Sequence, residues 1–438
     1  ELEFLLAEDK VVRLHGTEWQ ETQRFHHYLL QSWQSWSHEM SDVCREVLHT
    51  LREEINGFGD QDRWIKRSEL QSLKEKIVKQ FDALPLPLSR LTEFDHTRED
   101  WAFCQHWLDQ GEVALKVRNG DWTAKMLAHY KDFFSTVETT PLNPSQCKAV
   151  VNGEDALPVL AGAGSGKTSV LVARAGWLMQ RKLSAPDQIL LLAFGRQAAD
   201  EMNDRIKSRL GAGEIQARTF HSLALHIIRE GSNKQPLISK LESDADARRE
   251  LLITEWRQQC NEKKAQANGW RQWLRDELEW EVPEGAFWQD DALAKRLSSR
   301  LERWLGLMRM HGGAQAAMIA DVSEERRDLF SKRVKLMAPL LKAWKTALKE
   351  EGAVDFSGLI HQAVAILEKG RFISPWKHIL VDEFQDISPQ RAALLTALRQ
   401  QNKRTTLFAV GDDWQAIYRF SGAEMSLTTA FHHYFGEG

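Results

Sequence analysis

Cysteine, proline and tyrosine are sparse in this chain: 4, 11 and 4 in 438 residues. Cys44, Cys104, Cys147 and Cys260 stand far apart, without metal-ligand spacing. That excludes a disulfide framework and a cysteine-based zinc site, and reduced thiols in a cytoplasmic protein are the expectation. Long hydrophobic runs are also missing. The longest, such as Ile189–Phe194, falls far short of the roughly 20 apolar residues that cross a bilayer, so no membrane partner is expected. No signal-peptide pattern opens the chain, and it starts at Glu1 rather than Met, as a processed protein or a piece of a longer one would. Charge of one sign is lacking too. Lys and Arg number 58 against 62 Asp and Glu, a net charge of −4, so any nucleic-acid surface must be local.

What is present is ordinary globular material, 42% hydrophobic and 27% charged, in a chain long enough for roughly two to four domains. Tryptophan is the exception: 17 residues, most on helical patterns, which reads as core rather than ligand site.

The most informative stretch is Ala161-Gly-Ala-Gly-Ser-Gly-Lys-Thr168, between the apolar run Leu157–Leu160 and an apolar helical pattern through Met179. Strand, glycine turn and helix in that order make an anion cradle. The backbone N–H groups point inward and the positive end of the helix faces the phosphates. Lys167 can then reach the β- and γ-phosphates of a nucleoside triphosphate, and the Thr168 hydroxyl can ligate Mg²⁺. Ala161 stands where the motif usually has glycine. Residues Ala161, Gly162, Ala163, Gly164, Ser165, Gly166, Lys167, Thr168 and Ser169 form the expected nucleotide contact, with Arg205 added to them.

Such a loop needs carboxylates on a second strand, and Ile379-Leu-Val-Asp-Glu-Phe-Gln-Asp386 supplies them at the end of an apolar run. Asp382 is the expected Mg²⁺ ligand and Glu383 the base for the attacking water. A third apolar strand leads into Val410-Gly-Asp-Asp-Trp-Gln-Ala-Ile-Tyr-Arg-Phe-Ser-Gly422. There Gln415 is placed to sense the γ-phosphate. Tyr418 and Phe420, flanking Arg419, can stack on the bases of a single strand, with core packing the alternative for either ring alone.

Around these motifs the texture changes along the chain. Residues 1–16 read as a β-hairpin left from an N-terminal domain. Residues 17–140 form a helical module, with Trp33, Trp36, Met40, Val43, Val47 and Leu51 marking one helix face. A second face carries Leu70, Leu73, Ile77 and Phe81, and a third carries Trp107, Val113, Val117, Met126, Tyr130 and Phe134. The module is either a scaffold or an arm for a protein partner. Thr139-Thr-Pro-Leu-Asn-Pro144 breaks the helical pattern. Residues 141–230 and 376–438 alternate strand and helix, whereas 231–375 lose the strands and read as a helical insertion. The expected fold is therefore α/β: a RecA-like, doubly wound parallel sheet whose two flanks share one sheet.

The ordered set Asn143-Pro-Ser-Gln146, Ala161–Thr168, Leu192–Ala199, Thr219-Phe-His221, Val354-Asp-Phe-Ser357, Val381–Asp386 and Gly411–Gly422 resembles the UvrD/Rep-type superfamily 1 DNA helicases. The long N-terminal extension favours the helicase IV branch. The resemblance implies a first motor domain, with 231–375 as its 1B subdomain, and a monomer using ATP and Mg²⁺ to move 3′→5′ on single-stranded DNA. Gln146 would contact adenine. Phe194 and Phe420 would lie in the strand path, with Arg196, Thr219, His221 and Tyr418 as further DNA contacts. Phe420 replaces the family's usual tryptophan, and Ala193-Phe-Gly-Arg196 replaces the usual Thr-Phe-Thr-Asn. The family's second motor domain has no counterpart in these residues, so this stretch alone is expected to bind ATP and be nearly inactive. In a second reading the helical arm binds RNA polymerase and the ATPase drives its release.

Overall fold

The computed structural model describes residues 2–5, 11–14, 16, 18–162, 164–233, 235–311, 319, 322, 324–402, 404–412 and 425–436. The chain divides into two compact units, Glu1–Ala128 and His129–Gly438. Among the described residues, no helix is long and apolar enough to cross a membrane.

In the first unit, β1 (Leu2–Leu5) and β2 (Val11–Leu14) form the expected antiparallel hairpin, with Leu2 opposite Leu14. A helix of 41 residues follows, Trp19–Gly59, and then helices Arg67–Asp82 and Asp95–His129. Their core is Cys44, Leu48, Leu51 and Ile55 against Ile77, Phe81, Leu91 and Cys104. The sequence places the face of the long helix only in part: Leu51 is buried and Met40 and Val47 pack against the core. Trp33, Trp36 and Val43 are exposed, while Ser37, Ser41, Cys44 and Leu48 are buried. Large aromatic rings dominate a hydrophobicity pattern, but small side chains let a neighbouring helix approach, as where His96 Nε2 reaches Ser41 Oγ at 3.1 Å. Val113 and Val117 are exposed for the same reason: the inward positions are Gly111, Leu115 and Asn119. The Asn119 side chain accepts from Ile65 N and donates to Ile65 O, and Arg118 donates to the carbonyl of Gly59 at the end of the long helix.

The second unit starts ahead of the Pro-containing break, because Tyr130, Phe133 and Phe134 pack around Trp177 of helix Lys167–Gln180. Its sheet comprises β3 (Ala156–Leu160), β4 (Ile189–Ala193), β5 (Ala217–Thr219), β8 (His378–Val381) and β9 (Thr406–Gly411). The order is β3-β9-β8-β4-β5 and every pairing is parallel. β4 is buried along its whole length, as its unbroken apolar run requires. Each of its large side chains contributes about 1.5–3 kcal/mol by leaving water. Alternate residues serve opposite faces. Leu190, Leu192, Ile379, Val381, Leu407 and Ala409 pack with helices Phe220–Ser232, Phe356–Glu368 and Pro389–Gln400. Phe408 instead meets Arg174 of helix Lys167–Gln180, whose guanidinium lies 5.4 Å over its ring. The sheet is thus wound on both sides and built from both flanks of the insertion.

The insertion has its own core, formed by helices Ala245–Glu262, Lys264–Gln272, Asp291–Met310 and Glu324–Glu351. Trp256, Trp270, Trp273 and Trp344 lie inside it, in keeping with the core reading of tryptophan. Strands do not vanish there altogether. β6 (Leu237–Ile238) and β7 (Ala353–Val354) pair in parallel where the insertion leaves and rejoins the chain. Two residues each are too few to raise a periodic signal in sequence. Beside them, Arg309 pairs with Glu242 and with Asp355, and Asp355 accepts from Trp344 Nε1 at 2.7 Å.

Candidate functional site

The glycine turn follows β3 directly. Ala161 N donates to Gly411 O at 2.8 Å, which fixes the start of the turn against β9. Gly164 and Gly166 have φ of +72° and +81°, where a side chain would be strained. A Cβ at Gly166 would also stand 3.0 Å from Gln146 Nε2. Helix Lys167–Gln180 begins immediately after, and no side chain caps it. Its first amides are therefore open to an anion. Gly162 is exposed, Ser165 N donates to Gly162 O, and Ser169 is half-buried in the first turn of the helix. Ala163 lies outside the described residues. Arg205 pairs with Glu201 along helix Arg196–Leu210, and among the described residues no side-chain bond joins it to the turn.

Gln146 sits at the third position of helix Pro144–Val151 in a reciprocal capping box with Asn143. Its Nε2 donates to Ser165 O at 2.8 Å. The residue expected to touch the base is thereby tied to the phosphate turn.

Across the sheet, β8 ends in Asp382 and Glu383. Lys167 Nζ is 2.6 Å from Glu383 Oε2, and Thr168 Oγ1 is 3.4 Å from Asp382 Oδ2, although the partners lie more than 200 residues apart in sequence. Glu383 has φ +47°, a left-handed backbone that costs a non-glycine residue about 1–3 kcal/mol. That bend swings its carboxylate back towards Lys167. Asp382 is 5% exposed, and burial first, then the charge of Glu383, raises its pKa. A cation beside the Thr168 hydroxyl and the Asp382 carboxylate would reverse that penalty. Among the described residues, no group of three or more His, Cys, Asp or Glu could hold a metal. The pair suits Mg²⁺, which fills its shell with water and phosphate oxygens.

Gln385 was not foreseen as part of the site. Its Nε2 donates to Glu383 Oε2 at 2.6 Å, and its Oε1 accepts from Asp412 N at 2.9 Å. It links the acid turn to the end of β9, just before the stretch that holds Gln415. Gln415, Tyr418 and Phe420 lie outside the described residues.

A second cluster crowns the neighbouring strands β4 and β5. Phe194 follows β4 and is half-buried, and Arg196 is exposed at the start of its helix. Thr219 ends β5 and caps helix Phe220–Ser232, its Oγ1 accepting from Ser222 N at 3.1 Å. That hydroxyl is thus engaged in the fold. The His221 ring lies 4.7 Å from the ring of Phe356, which is exposed. Burial, then the charge of Arg391, pushes the His221 pKa down to about 4, so the imidazole is neutral at pH 7. Arg391 itself lies 3.9 Å over the Phe194 ring. Neither Arg391 nor Phe356 was singled out in the sequence. Phe356 belonged to a recognised motif, whereas Arg391 looked like an ordinary helix charge.

The family described as UvrD/REP helicase N-terminal domain matches residues 142–436, and that described as DNA helicase IV / RNA helicase N terminal matches residues 1–109. The chain is 66% identical to the DNA helicase IV of Escherichia coli over 438 residues, covering 100% of this chain and 64% of that protein. It is 31% identical over 299 residues to the ATP-dependent DNA helicase UvrD1 of Mycobacterium tuberculosis, covering 64% of this chain and 34% of the relative. With the ATP-dependent DNA helicase PcrA of Staphylococcus epidermidis the identity is 27% over 303 residues, 68% of this chain and 36% of the relative. The chain therefore spans less than two thirds of the length of each.

Proposed function

The chain belongs to the UvrD/REP helicase family, and from that premise we propose that it is the ATP-binding first motor part of a DNA helicase moving 3′→5′ on single-stranded DNA. One observation carries the reading: Lys167 and Thr168, at the start of their helix, meet Glu383 and Asp382, which follow a strand more than 200 residues away in sequence. In this reading Lys167 grips the β- and γ-phosphates, Thr168 and Asp382 hold Mg²⁺, Glu383 takes the proton of the attacking water and Gln146 selects adenine. The single strand crosses the carboxyl ends of β4 and β5, over Phe194, His221 and Phe356, where bases can stack.

We further propose that these 438 residues bind nucleotide but turn it over slowly by themselves. Transition-state arginines in phosphate-loop enzymes commonly contribute about 10³–10⁵ in rate and often come from a facing domain. The test compares single-strand-stimulated ATP turnover, and unwinding of substrates with a 3′ or a 5′ tail, by the protein at the full length of its relatives. Turnover indifferent to Glu383→Gln, or unwinding only from 5′ tails, would overturn the assignment. A second reading, a protein-binding arm that engages RNA polymerase, draws on the exposed Trp19, Tyr28, Trp33 and Trp36 of the long helix. Retention of polymerase by the intact chain, lost when these rings are replaced, would favour it.

A further inference from the structure

Arg391 occupies the first turn of helix Pro389–Gln400, five residues beyond the last acid of the Asp382–Asp386 turn. Its guanidinium lies 3.9 Å over Phe194 and 5.6 Å from Phe220. Among the described residues, its one hydrogen bond is long, Nη1 donating to Asp386 O at 3.4 Å. Its Nε is buried without a hydrogen-bond partner, and among the described residues no carboxylate bonds to it, although the charge of Asp386 acts on it. Other buried guanidinium groups of this unit are either bonded to a carbonyl, as Arg174 is to Val150 O, or paired with carboxylates. Arg309 has Glu242 and Asp355, and Arg248 has Glu302. A half-buried cation held on aromatic faces, with an anion near it but none bonded to it, calls for an explanation.

We propose that Arg391 is the phosphate-binding cation of the strand path, donating to one phosphodiester of single-stranded DNA while Phe194, on which it rests, stacks with a base. The proposal builds on the reading of β4 and β5 as the strand path. The chemistry of the neighbours supports the division of labour. Burial lowers the Arg391 pKa only to about 10, so it stays charged at neutral pH, whereas the same charge helps to keep His221 neutral. His221 therefore cannot be the ionic contact, and Thr219 is engaged as a cap. Arg391 thus supplies the positive charge that a backbone contact needs, beside the half-buried Phe194 ring that a base can use. Its remaining bond, to Asp386 O, joins that contact to the turn that carries Glu383.

The test is titration of fluorescent oligo(dT) with the 438-residue chain, followed by anisotropy at several salt concentrations. The variants are Arg391→Gln, which keeps a planar polar group on Phe194 without charge, Arg391→Lys, and Phe194→Ala. Thermal melting confirms that each is folded, and Arg391→Met replaces the Gln variant if that one is not. Loss of one phosphate contact lowers the log–log salt slope by about 0.7 on single strands. Arg391→Gln is expected to bind roughly ten-fold more weakly with that reduced slope, Arg391→Lys to keep the slope, and Phe194→Ala to weaken binding with the slope intact. A wild-type slope in Arg391→Gln, beside a weakened Phe194→Ala, overturns the proposal and leaves the strand path standing. Absence of single-strand binding by the unaltered chain overturns the strand path itself, and this proposal with it.

Discussion

Lys167 Nζ and Glu383 Oε2 stand 2.6 Å apart, so the ammonium that would grip a nucleotide's phosphates is neutralised by the carboxylate that would activate water. The two roles compete in the nucleotide-free protein: an incoming γ-phosphate must take Lys167 from Glu383, and in doing so frees the base. Glu383 is 37% exposed, so the pair is partly screened and worth about 0.5–1 kcal/mol. Glu383→Gln should therefore tighten binding of a fluorescent ATP analogue about two- to five-fold in the 438-residue chain. In the full-length protein the same change should lower turnover at least about 100-fold. Weaker nucleotide binding by this variant would refute the competition.

Gln385 locks the acid turn to the end of β9, and Gly411 is the position where that lock is tightest. A Cβ at Gly411 would lie 2.9 Å from Gln385 Oε1 and 3.1 Å from Gln385 N, and a backbone nitrogen cannot swing away. Gly411→Ala should destabilise the second unit by about 1–3 kcal/mol and weaken nucleotide binding as the turn shifts. Gln385→Ala should have a similar effect on stability for another reason. It leaves the buried Asp412 N–H without its acceptor, at about 1–3 kcal/mol. Differential scanning calorimetry checks both, and melting within 1 °C of the unaltered protein would contradict the lock.

The sequence was most legible where local chemistry and local structure coincide. Ala161–Thr168 and Asp382–Glu383 each follow an apolar strand, and the register that sets β9 between β3 and β8 brings them together. The strand order itself was not legible, because it depends on pairings across a long insertion rather than on any window of residues. The face of the long helix was legible at Met40, Val47 and Leu51 but not at its N-terminal end, because Trp33 and Trp36 outweigh Ser37 and Ser41 in any hydrophobicity pattern, although the serines pack inward. Gln385 and Arg391 were missed because each makes sense only through a neighbour distant in sequence: Asp412 for one, Phe194 for the other.

Asp382 couples the metal position to stability with a sign that can be worked out. Burial and the charge of Glu383 raise its folded-state pKa, so its ionised form is less favourable in the fold than in the unfolded chain. That ionisation works fully against folding above the folded value, and the penalty shrinks as pH falls from there to the unfolded pKa, near 3.9, below which it is gone. Asp382→Asn removes the charge and keeps an oxygen for Glu383 N, which now bonds Asp382 Oδ1 at 2.9 Å. The variant should melt about 1–3 °C higher at pH 7 in the absence of nucleotide. It should also lose the additional stabilisation that Mg²⁺ gives together with ATP. A lower melting temperature without ligand would show that the carboxylate is stabilising and that the buried-charge argument fails.

His221 gives the opposite dependence. Its pKa is lowered to about 4 by burial first and then by Arg391, so the fold favours the neutral ring while the unfolded chain takes up its proton near 6.5. Its contribution is complete above pH 6.5 and is lost as the pH falls from there towards 4, since the unfolded state binds more protons throughout that window. Because part of the ring remains accessible, the loss between pH 7 and pH 4.5 is expected to be about 1–2 kcal/mol rather than the full value of the shift. Asp382 and Asp386, whose pKa values are raised, titrate with the opposite sign, so the unaltered protein alone does not isolate the effect. The difference from His221→Gln does. Urea melts of the two proteins at pH 7 and pH 4.5 should show the variant losing less stability on acidification, by that amount. Equal losses would mean that His221 is protonated without penalty and that its burial beside Phe356 does not hold the ring neutral.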